Sequence, residues 1–145
     1  MTRTQRIAPV QSLFADAERR LAQSFAACER RLAESEAKLM ELQRYLWDYE
    51  QQFARRAVQG VGAVELRDYR AFLARLNEAI RQQQSVVSRA REERDLERQR
   101  WQGAARRRHA LDHVVDNWRA DERRAHERRD QRESDERAQR KVSLT

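Results

Sequence analysis

Gln59-Gly60-Val61-Gly62-Ala63 is the stretch whose reading decides the fold. Elsewhere the chain has one glycine, Gly103, and one proline, Pro9. On both sides of the stretch apolar side chains recur every three or four positions. The upstream track reads Phe14, Glu18, Leu21, Phe25, Cys28, Leu32, Ser35, Leu39, Leu42, Leu46, Tyr49, Phe53, and only Glu18 and Ser35 in it are polar. The downstream track reads Leu66, Tyr69, Leu73, Leu76, Ile80, Gln83, Val87, Ala90, Arg94, Glu97, Trp101, Ala104, Arg108, Leu111, Val115, Trp118. Its polar members are Gln83, Arg94, Glu97 and Arg108, so it is weakest from Gln83 to Glu97. A mean step of 3.5 residues is the mark of a left-handed coiled coil. One break between two such tracks predicts an all-α fold: two long helices in an antiparallel coiled-coil hairpin, with helix 2 longer than helix 1.

The expected organisation is a flexible arm over 1–10, helix 1 over 11–58, a loop over 59–64, helix 2 over 65–118 and a charged tail over 119–145. Ser12 is the candidate N-cap of helix 1, because its hydroxyl can accept one of the orphan N–H groups. Folding back sets Phe53 near Tyr69 and Phe14 near Arg108. The tail loses the apolar track and reads as a solvated helix or a disordered segment.

Composition supports a thin structure. Charged residues make up 38% of the 145 and aromatic residues 7%, and the mean hydropathy is −1.08. A two-stranded seam needs two apolar positions in seven, which this chain supplies and an ordinary globular core exceeds. The formal charge is +7 and the pI about 10.6, but acids are interleaved with the arginines. A dedicated nucleic-acid binder concentrates its charge more, so no nucleic-acid partner is expected. The lone Cys28 forms no internal disulfide and suits a reducing cytosol. No stretch approaches the roughly 18 apolar residues of a membrane span, and Met1 to Val10 has no signal-peptide core. A cytoplasmic protein without direct membrane insertion is the expectation.

The two flanks of the seam differ near the loop. One carries Glu36, Gln43, Glu50, Arg70, Asn77 and Gln84; the other carries Tyr45, Phe72, Ala79 and Val86, bordered by Leu42, Tyr49 and Leu76. An asymmetric apolar strip on a thin hairpin reads as a docking surface; the plainer reading is padding of the seam edge. Arg98, Arg100, Arg106, Arg107 and Arg108 fall in a stretch, 98–110, that contains no acid. With Arg19 and Arg20 alongside they form a basic collar able to meet acidic loops or phosphates, although any one of them taken singly reads more readily as a solvated helical face. Trp101 suits core packing. Trp118 lies past the paired region and reads as a partner anchor, while Trp47 falls outside the seam and is expected to be exposed.

His109 and His113 share a helical face, yet no cysteine or carboxylate constellation completes a metal site. Cys28 sits in the seam and reads as a core thiol. There is no phosphate loop, nucleophile elbow or paired catalytic carboxylate, and a two-helix hairpin has no pocket that excludes water. The expectation is a non-enzyme without cofactors.

Tyr69-Arg70-Ala71-Phe72-Leu73, running on to Leu76, Glu78, Ala79 and Ile80, resembles the start of the second helix in the FliJ family. The Tyr45-to-Tyr49 spacing before a glycine loop, the length, and the tail with Arg137-Ala138-Gln139-Arg140 are similar to that family as well. FliJ proteins are coiled-coil components of the bacterial flagellar type III export apparatus. The resemblance implies a central stalk, similar to that of rotary ATPases, whose open end enters the hexameric ring of the export ATPase and promotes its assembly. It further implies contact with the cytoplasmic domain of the membrane export-gate protein, which helps couple proton motive force to export, and handling of free export chaperones. The family's gate-binding strip corresponds to Leu42, Tyr45, Tyr49, Phe72, Leu76 and Ala79, and Lys38 and Gln83 depart from it at the polar rim. The collar Arg98, Arg100, Arg106, Arg107 and Arg108 is the candidate ATPase-ring contact. Competing readings are the equivalent stalk of a virulence type III secretion system and a basic nucleic-acid-binding or scaffolding coiled coil.

Overall fold

The computed structural model describes residues 1–144. Its two helices are α1 (Arg3–Val58) and α2 (Ala63–Ser143), and they pack against each other as a hairpin with α2 the longer. Alanine, arginine, glutamate and glutamine are abundant in both helices, and these residues lose little freedom on becoming helical. Every one of the 28 positions of the two apolar tracks is buried or half-buried.

The reversal occupies residues 59–62. Gly60 has φ +96°, a left-handed conformation that side chains strain against. Around it the Gln59 N–H donates to the Arg56 carbonyl at 3.0 Å and the Gly60 N–H to the Ala57 carbonyl at 3.2 Å, closing the end of α1. The Leu66 N–H then donates to the Gly62 carbonyl at 3.1 Å and opens α2. Arg55 and Arg56 in the last turn of α1, and Glu65 in the first turn of α2, each suit the sign of the helix dipole they meet.

The chain divides into two compact units. The first, Leu21–Trp101, contains the turn. Its core is Cys28, Leu32, Leu76, Ile80 and Val87, with one buried polar residue, Gln83. The Gln83 side chain donates to the Ser35 carbonyl at 2.9 Å, so its burial is satisfied. Phe25 and Trp101 stack in parallel at 5.8 Å, which gives Trp101 the packing role expected for it. Cys28 is buried and accepts from the Arg31 guanidinium at 3.0 Å.

The second unit comprises Met1–Arg20 and the residues from Gln102 onward. Here the structure departs from the expected arm. Helix α1 begins at Arg3, and its cap is Thr2 rather than Ser12. The Gln5 N–H donates to Thr2 Oγ1 at 3.2 Å, and the Thr2 N–H donates to Gln5 Oε1 at 3.0 Å. This reciprocal pair is a capping box. Pro9 lies inside the helix, where it removes one backbone hydrogen bond. Packing along α2 compensates. Thr4 Oγ1 donates to Glu122 Oε1 at 2.9 Å, and Gln11 Nε2 donates to Asp112 Oδ1 at 3.2 Å. Between these cross-links on α2 lies Val115, which is fully buried. Trp118 is therefore no free anchor: the Arg3 guanidinium lies 4.8 Å over its ring. Beyond Ala125 every described residue of α2 is exposed. That stretch is helical, with intrahelical pairs such as Arg137–Glu133 at 3.5 Å.

An alanine Cβ at position 60 would meet nothing within 4 Å, so a substitution there reports backbone conformation alone. Gly60→Ala is expected to lower stability by about 1 kcal/mol, and Gly60→Asn by less, because asparagine tolerates the left-handed region. Urea unfolding followed by circular dichroism at 222 nm checks the order glycine, asparagine, alanine.

Candidate functional site

The strip beside the turn lies within the Leu21–Trp101 unit and is built from two helical faces. Tyr45 and Tyr49 stand one turn apart on α1, and Tyr69 and Phe72 three residues apart on α2. Their rings form a continuous cluster. Phe53 stacks on Tyr69 with centroids at 3.7 Å, Tyr69 on Tyr49 at 5.3 Å, and Tyr49 leans on Phe72 at 4.4 Å. Tyr45 closes the outer edge, 5.9 Å edge-on from Phe72 and 6.4 Å from Tyr49.

Burial is graded across this cluster. Leu76 is buried; Leu42, Tyr49, Phe72 and Ala79 are half-buried; Tyr45 is 52% exposed. The fold thus brings Tyr45, Tyr49 and Phe72 into one contact group and sets Leu42, Leu76 and Ala79 on the adjoining turns of the same helices. Val86, on the same flank, is also exposed. Phe53 and Tyr69 belong to the ring cluster too; both were read as seam residues, and the stacking that joins them to the strip depends on ring orientation, which spacing alone does not reveal.

Tyr69 is the one ring here with a shifted phenol. Desolvation by its neighbours, then the nearby Glu50 carboxylate and Tyr49, push its pKa above the ordinary 10.0. The unfolded chain gives up this proton first, so stability is full below pH 10 and falls as pH rises through the folded value.

The arginines of the expected collar divide between the two units. Within Leu21–Trp101, the Arg98 guanidinium rests 5.6 Å over the Phe25 ring, and Arg100 pairs with Glu97 at 2.8 Å. In the other unit Arg108 is held by Glu18 across the helix pair and by Asp112 at 3.2 Å along α2. Hydrogen bonding to Glu18 is the largest of the influences that raise its pKa. Arg106 and Arg107 are exposed and form no ion pair among the described residues. Arg19 is paired with Asp16 on its own helix at 3.2 Å.

His109 and His113 are both exposed. Among the described residues no group of three or more histidine, cysteine, aspartate or glutamate side chains could hold a metal ion. Among the same residues no helix is long and apolar enough to cross a membrane. The Trp47 side chain is 61% exposed.

For Tyr69→Phe the decline in thermal stability between pH 10 and 11 is expected to be shallower than in the parent. Melting curves across that range, with phenolate absorbance recorded in parallel, check it; identical slopes count against the shifted phenol.

Neither curated proteins nor solved structures give a match to this chain. The protein family described as "Flagellar FliJ protein" matches residues 3–144, nearly its whole length. With that match over a helical hairpin, the chain belongs to the FliJ family and is a component of the flagellar protein export apparatus.

Proposed function

We propose that the chain is a non-catalytic stalk of the export apparatus. It promotes the hexameric export ATPase ring, links that ring to the cytoplasmic domain of the membrane export-gate protein, and takes part in handling export chaperones. It works in the cytoplasm, held peripherally at the inner face of the cell membrane through the apparatus. The observation that carries the gate contact is Tyr45, an aromatic ring 52% exposed on a cluster whose other rings are half-buried. Such a ring adds little to the hairpin's own packing and offers a large contact area to a partner.

For the ATPase ring, Arg106 and Arg107 are the reachable charges. Arg108 and Arg100 already have carboxylate partners, and Arg98 covers an aromatic ring. A helical stalk inside a six-fold ring is a symmetry mismatch, and long-range charge tolerates imprecise geometry. The family match favours the flagellar system over a virulence secretion system. Pairing of arginines with neighbouring carboxylates, as in Arg124–Asp121 at 2.6 Å, weighs against a nucleic-acid partner.

Tyr45→Ala with Phe72→Ala is expected to weaken binding to the purified gate domain by about 2 kcal/mol or more. Tyr45→Ala alone should leave helicity and melting temperature unchanged, and calorimetric titration measures both variants. Undiminished binding by the double variant returns these residues to padding.

Stimulation of the cognate ATPase by the full chain is the direct test of the stalk role. Arg106→Glu with Arg107→Glu should reduce it, with a deficit that shrinks as salt is raised from 50 to 500 mM, roughly where the screening length falls below 5 Å. Gate binding should survive the same change.

A further inference from the structure

The seam and the aromatic strip leave one face of α1 unaccounted for. Ala33, Ala37, Met40, Trp47, Ala54 and Val58 follow one another at three-, four- and seven-residue steps, which places them on a single face of the helix. All six are exposed, Met40 at 68% and Trp47 at 61%. The face lies wholly within the Leu21–Trp101 unit, and Tyr45 and Tyr49 point well away from it around the helix. A shallow hollow lined by Ala37, Met40, Glu41, Gln43 and Arg44 opens on it.

Its rim is acidic. Glu34, Glu41 and Asp48 run along one side at seven-residue steps, a row that ends at Arg55, and Glu29 and Glu36 along the other, while Arg30 and Arg44 stand on the face itself in line with Ala37. Between residues 29 and 50 there are six acidic and four basic side chains, a local charge of −2 in a chain that carries +7. Glu36 is tied to Arg91 at 3.3 Å. Among the described residues Glu29, Glu34, Glu41 and Asp48 form no ion pair, so their charges face outward.

We infer that this face docks a cationic amphipathic helix of another protein. Trp47 and Met40 supply the apolar anchors: a large flat ring, and a flexible thioether that adapts to what it meets. The carboxylate rows select lysine and arginine on the flanks of the incoming helix, as flanking charges do in helix pairing. Charge decides against the other occupants. A helix that lies on an anionic bilayer carries lysine and arginine beside its apolar face, and here the neighbours are predominantly acidic. A second copy presenting the same face would set acid against acid.

The test uses the full chain and a synthetic leucine–lysine amphipathic helical peptide of about 20 residues, long enough to hold a stable helix against a surface. Binding is followed by calorimetric titration. Met40→Ala with Trp47→Ala is expected to weaken binding at least tenfold, and Glu41→Lys with Asp48→Lys to do the same. The peptide with glutamate in place of lysine should not bind. Unchanged helicity of the four substituted positions, all exposed, keeps the comparison free of unfolding. Equal binding by the Met40→Ala, Trp47→Ala variant overturns the proposal. So does Trp47-dependent capture by vesicles of phosphatidylcholine and phosphatidylglycerol, or Trp47-dependent self-association in sedimentation.

Discussion

A contact between two helices is one stripe wide, and every other surface of this protein follows from that narrowness. Two positions in seven on each helix reach the partner helix; the remaining five must be wet or must meet something else. A globular core can absorb a surplus ring or a misplaced methionine. This fold has little room to do so, and several large apolar side chains off the stripe stand in solvent. Tyr45, Met40 and Trp47 are conspicuous for this reason alone. The same narrowness explains the composition, since a chain with little interior needs charge over most of its surface.

From Phe14 onward the stripe was legible in the sequence, because its period follows from backbone geometry. Glu18, Ser35, Gln83, Arg94, Glu97 and Arg108 were placed in it correctly although none is apolar. The start of α1 was misread. Residues 1–10 read as an arm and Ser12 as the cap, while Thr2-Arg3-Thr4-Gln5 already spelled a capping box and Thr4, Ile7 and Gln11 already continued the track backward from Phe14. Trp118 was misread in consequence, since its cover is Arg3.

The arginines show where spacing ceases to inform. Five of them looked equivalent in sequence. In the structure one sits on a ring, two are engaged by carboxylates and two are open to solvent. Which carboxylate a long side chain reaches is decided by rotamers and by residues ninety positions away, as with Glu18 and Arg108. Charge density was readable; charge availability was not. Ring stacking among Tyr49, Phe53, Tyr69 and Phe72 is of the same kind, a matter of orientation rather than register.

The hydrogen bond from Gln83 to the Ser35 carbonyl has a mechanical meaning. Ser35 is a small residue of the stripe, and beside it the Gln83 side chain reaches the backbone of α1. Sliding α2 by one heptad in either direction would set Gln83 beside Cys28 or Leu42 and break this hydrogen bond. An unsatisfied buried amide costs about 1–3 kcal/mol, and the slipped ladder would lose its aromatic contacts as well. The pair of helices therefore resists shear along its own length. Motion imposed on one helix is passed to the other as a push or a turn, since the two strands are pinned like the plies of a rope.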